Sequence, residues 1–157
     1  MSEESAFRPL GDTSDPGPGR GVGVFILDRQ GRCLLHLRDD VPDIPWAGMW
    51  SVFGGGVEAG EGLAEAACRE IAEETGVDLA LEDIAPFGWL CSTSPRRPRF
   101  YPFESARPVE PGEIRLGEGA GFGFFTEAQA LALNFVPFMR PALLLLLEER
   151  RKAVIRA

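Results

Sequence analysis

Short apolar runs alternate with loops rich in Gly and Pro over most of the chain. Runs of Val, Phe, Ile and Leu bounded by turn residues predict strands, and they occupy 21–28, 33–37, 51–53, 87–91, 99–103 and 122–125. Apolar residues at a helical period predict helices at 63–75 and 127–133, and in the tail from Pro137 onward. This order of elements predicts an α/β (α+β) fold.

The first 20 residues differ from the rest of the chain. They have no apolar period and end in GDTSDPGPGR, so we expect a flexible N-terminal arm. Residues 21–157 are expected to form one domain, because a chain of 157 residues can bury about two thirds of the surface that it exposes when unfolded.

Three glutamates crowd one face of the predicted helix 63–75. Glu70, Glu73 and Glu74 stand at i, i+3 and i+4, so their carboxylates emerge side by side and repel one another. A hard divalent cation such as Mg²⁺ takes oxygen ligands and would relieve this repulsion. A solvated acidic face is the alternative, and on the helix pattern alone it is the commoner one.

The spacing around these glutamates is more specific than the glutamates themselves. Glycines and charged residues stand in the register G-x5-E-x7-R-E-U-x-E-E-x-G-U, with Ile71 and Val77 at the two apolar places. The defined polar and glycine positions are Gly55, Glu61, Arg69, Glu70, Glu73, Glu74 and Gly76. This stretch resembles the Nudix box at every defined position. The order of predicted elements is also similar to the Nudix fold, which implies an α/β/α sandwich with a mixed sheet.

The resemblance also implies roles for the box residues. In that family the box binds Mg²⁺ or Mn²⁺ and supports hydrolysis of a pyrophosphate linkage. The implied metal ligands are Glu70, Glu73 and Glu74, with the carbonyl of Gly54 and, from a later loop, Glu118 with Glu113 behind it. Glu70 is the implied general base, whereas Arg69 and Glu61 are implied to hold the carboxylates and the start of the helix.

Candidate substrate contacts come from loops outside the box. A tryptophan, Trp46 or Trp50, is a candidate to stack on a nucleotide base, although a hydrophobic plug beneath the loop is an equal interpretation. Three arginines near one turn, Arg96, Arg97 and Arg99, are candidates for phosphate contacts or for plain surface charge. The sequence carries neither the SQPWPFPxS tag associated with NADH hydrolysis nor the coenzyme A signature, so the substrate class stays open.

Composition restricts the partners. The net charge of −8 argues against a nucleic-acid backbone as main partner and leaves a small nucleotide bridged by metal. Three cysteines without a C-x-x-C pair predict neither disulfides nor zinc, and a reducing cytoplasm fits best. The chain starts without an apolar signal and contains no apolar run of membrane length.

Leucines on all sides of the tail helix indicate burial against the sheet or a homodimer contact.

The expected function is hydrolysis, with Mg²⁺, of a nucleoside diphosphate linked to another group X. Two other functions are compatible with the fold. A nucleotide-sensing module of the same fold would bind without cleaving, although sensors tend to lose box carboxylates and this chain keeps all of them. Isoprenoid diphosphate isomerisation would need a suitably placed cysteine, for which Cys91 is the candidate. The single histidine, His36, is expected to be a strand residue rather than a catalytic group.

Overall fold

The computed structural model describes residues 1–157. It has eight strands and three α-helices. The strands are β1 Arg20–Phe25, β2 Cys33–Leu37, β3 Trp50–Ser51, β4 Phe53–Gly56, β5 Ile84–Pro86, β6 Leu90–Cys91, β7 Arg99–Ser105 and β8 Gly121–Phe125. The helices are α1 Leu63–Thr75, α2 Glu127–Ala132 and α3 Arg140–Arg156.

The strands form two sheets. In the larger sheet the order is β4-β1-β7-β5, and β6 also pairs with β7. The β1–β7 pair is parallel and its other pairs are antiparallel, so this sheet is mixed as expected. The smaller sheet is antiparallel with the order β3-β2-β8. Because β4 lies beside β1, the glycines that end β4 reach the rim of the larger sheet next to α1.

Helices cover both faces of the sheets. On one face, α1 packs its apolar stripe against β1 through Leu63, Ala67 and Ile71. On the other face, α3 packs Leu143 and Leu146 into a second apolar cluster. Alternate residues of a strand point to opposite faces, and β1 contributes to both clusters in this way. The α/β/α layering implied by the resemblance is therefore confirmed.

Helix α1 begins and ends where the sequence predicts. It ends at Gly76, whose φ of 72° is left-handed and therefore suits glycine. The strand boundaries were predicted less well. The predicted strand 51–53 is split between β3 and β4, the predicted strand 87–91 is reduced to β6, and β5 was missed. β5 carries only one buried residue, Ile84, so it left little apolar signal.

The tail helix is buried on one side only. Leu143, Leu146 and Leu147 are buried in the second cluster, whereas Leu144 and Ile155 are exposed. Burial against the rest of the molecule thus accounts for part of the leucine run, and a homodimer contact stays a prediction. No helix of the protein is both long and apolar enough to cross a bilayer.

The first 20 residues, which the sequence predicts to be a flexible arm, pack against the rest of the molecule through two apolar residues. Phe7 is buried in the same cluster as α1 and lies edge-on to Tyr101 and Phe103, with ring centroids 5.1 Å apart in both pairs. Leu10 is buried in the second cluster. A few isolated apolar residues in a Gly- and Pro-rich segment have no period, which is why the sequence did not reveal this packing.

We expect Phe7→Ala to lower the free energy of unfolding by about 3 kcal/mol or more, because a large buried ring is removed and leaves a cavity. Urea denaturation followed by tryptophan fluorescence measures the change. Phe7→Leu is the matched variant and should cost less. If Phe7→Ala unfolds at the same urea concentration as the parent, the segment does not pack as described.

Candidate active site

The glycine loop after β4 brings backbone and carboxylate unusually close together. A Cβ atom at Gly55 would lie 2.4 Å from the carboxyl carbon of Glu70. A Cβ atom at Gly54 would lie 2.0 Å from the carbonyl oxygen of Val22 in the neighbouring strand. Gly54 faces backbone and has no room for a side chain, whereas a side chain at Gly55 would force the Glu70 carboxyl to move. The two glycines therefore allow the Glu70 carboxyl to lie directly against the loop at the rim of the sheet.

Arg69 ties the box together. Its guanidinium binds both carboxylate oxygens of Glu61, with Nε to Oε1 at 2.6 Å and Nη2 to Oε2 at 2.9 Å. It also donates to the Gly56 carbonyl at 2.9 Å, to Glu70 at 2.9 Å and to Glu73 at 3.3 Å. Hydrogen bonds from Arg69 hold the pKa of Glu61 at about 2. One cation thus links the loop, the start of the helix and two of its three crowded glutamates.

Glu74 is the buried member of the acidic cluster. Its side chain points from α1 toward the loop, and its Oε2 accepts from the Gly54 amide at 3.4 Å. Burial, together with the negative charges of Glu70 and Glu118, raises the pKa of Glu74 to about 8. The ionised form of this carboxylate is therefore disfavoured first by its burial and then by the neighbouring negative charges.

The loop before β8 brings Glu118 to the same place. This loop lies across the end of α1, where the Gly117 amide donates to the Glu74 carbonyl at 2.7 Å and the Arg115 amide donates to the Thr75 carbonyl at 2.8 Å. Glu118 follows directly and is close enough for its charge to act on Glu74. Glu113 is engaged elsewhere, since it accepts from Arg107 at 2.7 Å. Of the two loop candidates, only Glu118 lies near the box.

The carboxylates fit a divalent cation by chemistry and by charge. No group of three or more His, Cys, Asp or Glu side chains is arranged closely enough to hold a metal ion. The donors near Gly55 are nevertheless all oxygens, which is the set that Mg²⁺ and Mn²⁺ prefer. The raised pKa of Glu74 points the same way, because a cation beside it would favour the ionised carboxylate. The set formed by Glu70, Glu73, Glu74, Glu118 and Gly54 remains a prediction.

A cavity of about 330 Å³ opens beside the glycine loop. Gly54, Gly55 and Gly56 form one wall of this cavity, which we call the glycine-loop cavity. Aromatic rings form another wall, where Phe138 lies 5.7 Å from Phe100 and 6.1 Å from Trp46, measured between ring centroids. The cavity is therefore bounded by aromatic rings and by the backbone of the glycine loop, whose Gly55 lies against the Glu70 carboxyl.

The structure separates the predicted substrate residues. Trp46 lines the glycine-loop cavity, and Arg96 lines an adjoining cleft. Trp50 does not line the cavity, since it packs edge-on against Phe125 at 4.9 Å and acts as the hydrophobic plug. Arg97 is bound to Asp12 at 3.0 Å. The prediction that Trp50 and Arg97 contact substrate is therefore not supported by their positions.

Arg99 does not line the glycine-loop cavity. It lies next to Tyr101 in a cleft formed with the N-terminal segment, whereas Phe100 between them faces the glycine-loop cavity. Successive strand residues point to opposite faces, so Arg99 and Phe100 cannot serve the same side.

Sequence reasoning missed several residues that line the cavity. They are Arg20, Arg38, Ser92, Phe100, Val136 and Phe138. Alternation along β7 was a usable signal for Phe100, but the others lie at strand and helix ends where no pattern marks them. His36 was predicted correctly as a strand residue. It is buried in β2 and stacks on Phe53, with ring centroids 4.4 Å apart.

Comparison with known families decides the relationship. The family model described as NUDIX domain matches residues 17–146. The chain belongs to the Nudix family. This match covers the glycine loop, α1 and both walls of the cavity. The family generally uses divalent metal ions, which agrees with the oxygen-rich surroundings of Gly55.

Individual relatives are similar over part of their length. The chain is 37% identical over 82 residues to an RNA pyrophosphohydrolase from Gluconacetobacter diazotrophicus, covering 50% of this chain and 49% of the relative. It is 43% identical over 69 residues to the nucleoside triphosphatase NudI from Escherichia coli, covering 43% of this chain and 48% of that one. The matches thus span about half the length of these curated relatives, whose names give different substrates.

A solved structure shows the same fold over most of the chain. The MutT protein from Methanosarcina mazei Go1 superposes with a TM-score of 0.70 at 21% sequence identity, covering 90% of this chain and 99% of that one. At this identity the likeness establishes the fold and leaves the substrate open.

We expect Gly55→Ala to reduce pyrophosphohydrolase activity more than about tenfold, because the added methyl group must displace the Glu70 carboxyl by roughly 1 Å. Steady-state kinetics with Mg²⁺ measures the loss. Gly112→Ala is the matched control, because a Cβ atom there meets nothing within 4 Å. Equal activity of the two variants would show that the close contact at Gly55 does not matter.

Glu74→Gln should make the protein more resistant to heat at alkaline pH in the presence of a chelator. The pKa of Glu74 is about 8 in the folded protein and ordinarily about 4.5, so the folded state holds the proton more tightly. Stability is therefore lost as the pH rises from 4.5 through 8, and the glutamine cannot lose a proton. Thermal unfolding at pH 5.5 and pH 8.5 with EDTA measures the effect.

The gain from Glu74→Gln should be larger at pH 8.5 than at pH 5.5. A gain of equal size at the two pH values would contradict the assignment. Addition of Mg²⁺ at pH 8.5 should raise the Tm of the parent more than that of the variant, because the variant lacks one anionic ligand.

Proposed function

We propose that this Nudix protein is a Mg²⁺-dependent pyrophosphohydrolase that cleaves a nucleoside diphosphate linked to a group X. One observation carries the proposal. The Glu70 carboxyl lies against the backbone of Gly55, and that backbone is a wall of the glycine-loop cavity. A phosphoanhydride bound in the cavity at Gly55 would be separated from the carboxylate by that backbone alone, with the nucleoside directed toward Trp46 and Phe138.

Glu70 is proposed to act as the general base. It accepts a proton from water, and the water oxygen forms a bond to one phosphorus of the anhydride. The bridging P–O bond breaks, and the bridging oxygen leaves with the other phosphoryl group. Arg69 holds the Glu70 carboxyl at 2.9 Å from its Nη1 and keeps it directed at the loop.

Glu70, Glu73, Glu74 and Glu118 are the proposed holders of the metal, with the Gly54 carbonyl. A divalent cation in this position supplies positive charge for the phosphate oxygens and lowers the pKa of bound water. Mn²⁺ is a proposed substitute, because it accepts the same oxygen ligands. The remaining residues of the site hold Glu70 in position and surround this general base partly with apolar side chains.

The nucleotide is proposed to bind by stacking. Trp46 and Phe138 both line the cavity and present flat aromatic surfaces to it. Stacking on aromatic rings contributes about 1–3 kcal/mol per base and tolerates different bases. Arg20 and Arg38 also line the cavity and complement a phosphorylated ligand.

The three unpaired cysteines support a reducing compartment such as the cytoplasm.

A nucleotide-sensing module is the second candidate. It shares the cavity but requires no base and no cation. Retention of every box carboxylate, together with the Arg69 bonds that orient two of them, favours the enzyme over the sensor.

We expect a panel of dNTPs, oxidised dNTPs, nucleotide sugars, ADP-ribose and dinucleoside polyphosphates to contain at least one substrate with Mg²⁺. Glu70→Gln should lower kcat by about a hundredfold or more, because removal of a positioned base typically costs 10²–10⁴-fold. Phosphate or nucleotide release, followed by chromatography, measures the rate.

Glu82→Gln is the matched control for this experiment, since Glu82 is an exposed glutamate in the turn after α1. It should retain the parental rate. Turnover of no compound in the panel, or a Glu70→Gln variant as active as Glu82→Gln, would refute the enzymatic proposal. Tight nucleotide binding without turnover would support the sensor.

A further inference from the structure

The bend that carries Glu118 is held by backbone hydrogen bonds on either side of it. The Gly117 amide donates to a carbonyl at the end of α1 at 2.7 Å, and the Ala120 amide donates to a carbonyl of β2 at 2.9 Å. Glu118 and Gly119 form the stretch between these two bonds, and Glu118 is exposed. The position of the Glu118 carboxylate therefore depends on what supports these two residues, which we call the Glu118 bend.

The imidazole of His36 lies directly beneath the Glu118 bend. Its Nε2 is so close to the backbone of Gly119 that a Cβ atom at that position would collide with the ring. Gly119 has a φ of 96°, which also favours glycine. On its face the ring stacks on Phe53, with an interplanar angle of 16°. Because Phe53 directly precedes Gly54, the imidazole fills the space between the Glu118 bend and the strand that enters the glycine loop.

The nitrogen of this ring is not needed for packing. His36 is 6% exposed, and its Nε2 is buried without a hydrogen-bond partner. An unpartnered buried nitrogen destabilises the folded state, and an apolar side chain would avoid this penalty. Burial and the positive charge of Arg38 lower the pKa of His36, whereas the Glu118 carbonyl acts in the opposite direction. The ring is therefore neutral, and the backbone of Glu118 is a polar group beside it.

His36 is separated from the substrate. It does not line the glycine-loop cavity, and the space beside its ring is a cavity of only about 30 Å³ that Glu118 and Gly119 also line. A space of this size has room for about one water molecule. Any effect of His36 on the candidate active site must therefore pass through the residues that the ring contacts.

We propose that His36 is a positioning residue that holds the Glu118 bend at the distance from the glycine loop at which Glu118 and the Gly54 carbonyl serve one cation. This inference rests on the proposed function, which supplies the cation. Glu70, Glu73 and Glu74 are spaced by the helix that carries them, whereas Glu118 comes from another part of the chain. A spacer between its bend and β4 is therefore what this fourth carboxylate requires.

The first test is a titration of the full chain with Mn²⁺, followed by electron paramagnetic resonance. His36→Leu should weaken Mn²⁺ binding about tenfold, because leucine is too short to reach Gly119 and residues behind a metal ligand typically contribute 10–100-fold to affinity. His36→Gln should retain most of the parental affinity, since its amide nitrogen reaches the place of Nε2. Parental affinity in His36→Leu would overturn the inference.

Thermal unfolding with EDTA distinguishes positioning from a general loss of stability. His36→Leu should unfold within about 4 °C of the parent, because removal of the unpartnered nitrogen offsets the lost ring contacts. Leu35→Val is the matched control, since Leu35 precedes His36 in β2 and is buried in the second apolar cluster on the opposite face. It should lower the Tm and leave Mn²⁺ affinity unchanged. Equal losses of Mn²⁺ affinity in the two variants would contradict the inference.

A double-mutant cycle identifies the ligand through which His36 acts. Glu118→Gln should weaken Mn²⁺ binding, and addition of His36→Leu to Glu118→Gln should weaken it no further. The two losses are expected to overlap in this way only if His36 acts by placing Glu118. Losses that multiply in the double variant would overturn the inference.

Amide hydrogen exchange with EDTA tests the support of the bend without any cation. The Gly117 and Ala120 amides should exchange faster in His36→Leu than in the parent, whereas the amides of α1 should be unchanged. Unchanged exchange at Gly117 and Ala120 overturns the inference even if the parent binds Mn²⁺ and hydrolyses a nucleotide. Faster exchange confined to these amides supports the hold on the bend even if the parent binds no Mn²⁺, a result that would instead refute the proposed function.

Discussion

The carboxyl group of Glu70 lies against the backbone of Gly55, and the arrangement of the candidate active site depends on this contact. It is available only because position 55 carries no Cβ atom. The apolar stripe of α1 sets the position of the helix on the larger sheet, and the missing Cβ atom at position 55 lets the Glu70 carboxyl reach the β4 backbone. Arg69 then bonds to both sides of the contact, the Gly56 carbonyl and the Glu70 carboxylate.

The carboxylates of the box lie close enough together to repel one another. Arg69 neutralises charge near Glu70 and Glu73, but Glu74 faces inward, where burial and the charges of Glu70 and Glu118 hold its pKa high. Stability of the chain alone does not require such a carboxylate. A divalent cation bound at the site would relieve the repulsion among these carboxylates. Such a cation would also explain why acidic residues that repel one another are placed on a single helix face.

The sequence predicted the parts of the site that depend on short spacing. Helix α1, its end at Gly76 and the shared face of the glutamates all follow from residues a few positions apart. Parts that depend on long-range packing were not predictable in this way. Trp46 and Trp50 are the same residue type four positions apart, yet one lines the cavity and the other packs against Phe125. The neighbouring arginines also differ for reasons that lie far away in the sequence. Arg97 is bound to Asp12, and Arg99 lies on the strand face opposite to Phe100.

The packing of the N-terminal segment was likewise not predictable from the sequence, and this segment contacts the box helix. Its Phe7 is buried beside α1, and the Glu3 carboxylate accepts from the amides of Leu63 and Ala64 at 2.9 and 3.1 Å, where Gly62 offers no side chain to cap the helix. Farther along, Gly17 contacts the loop of Arg96. Residues expected to be a free arm thus contact both the start of the box helix and the loop of Arg96.

The central claim is that the box carboxylates form a divalent cation site beside the glycine-loop cavity. Titration with Mn²⁺ followed by electron paramagnetic resonance tests it most directly, because bound and free Mn²⁺ are distinguished without any substrate. We expect saturable binding to the parent protein, weakened at least tenfold in Glu74→Gln and abolished in the double variant Glu70→Gln with Glu74→Gln. Equal Mn²⁺ binding by the parent and the double variant would contradict it.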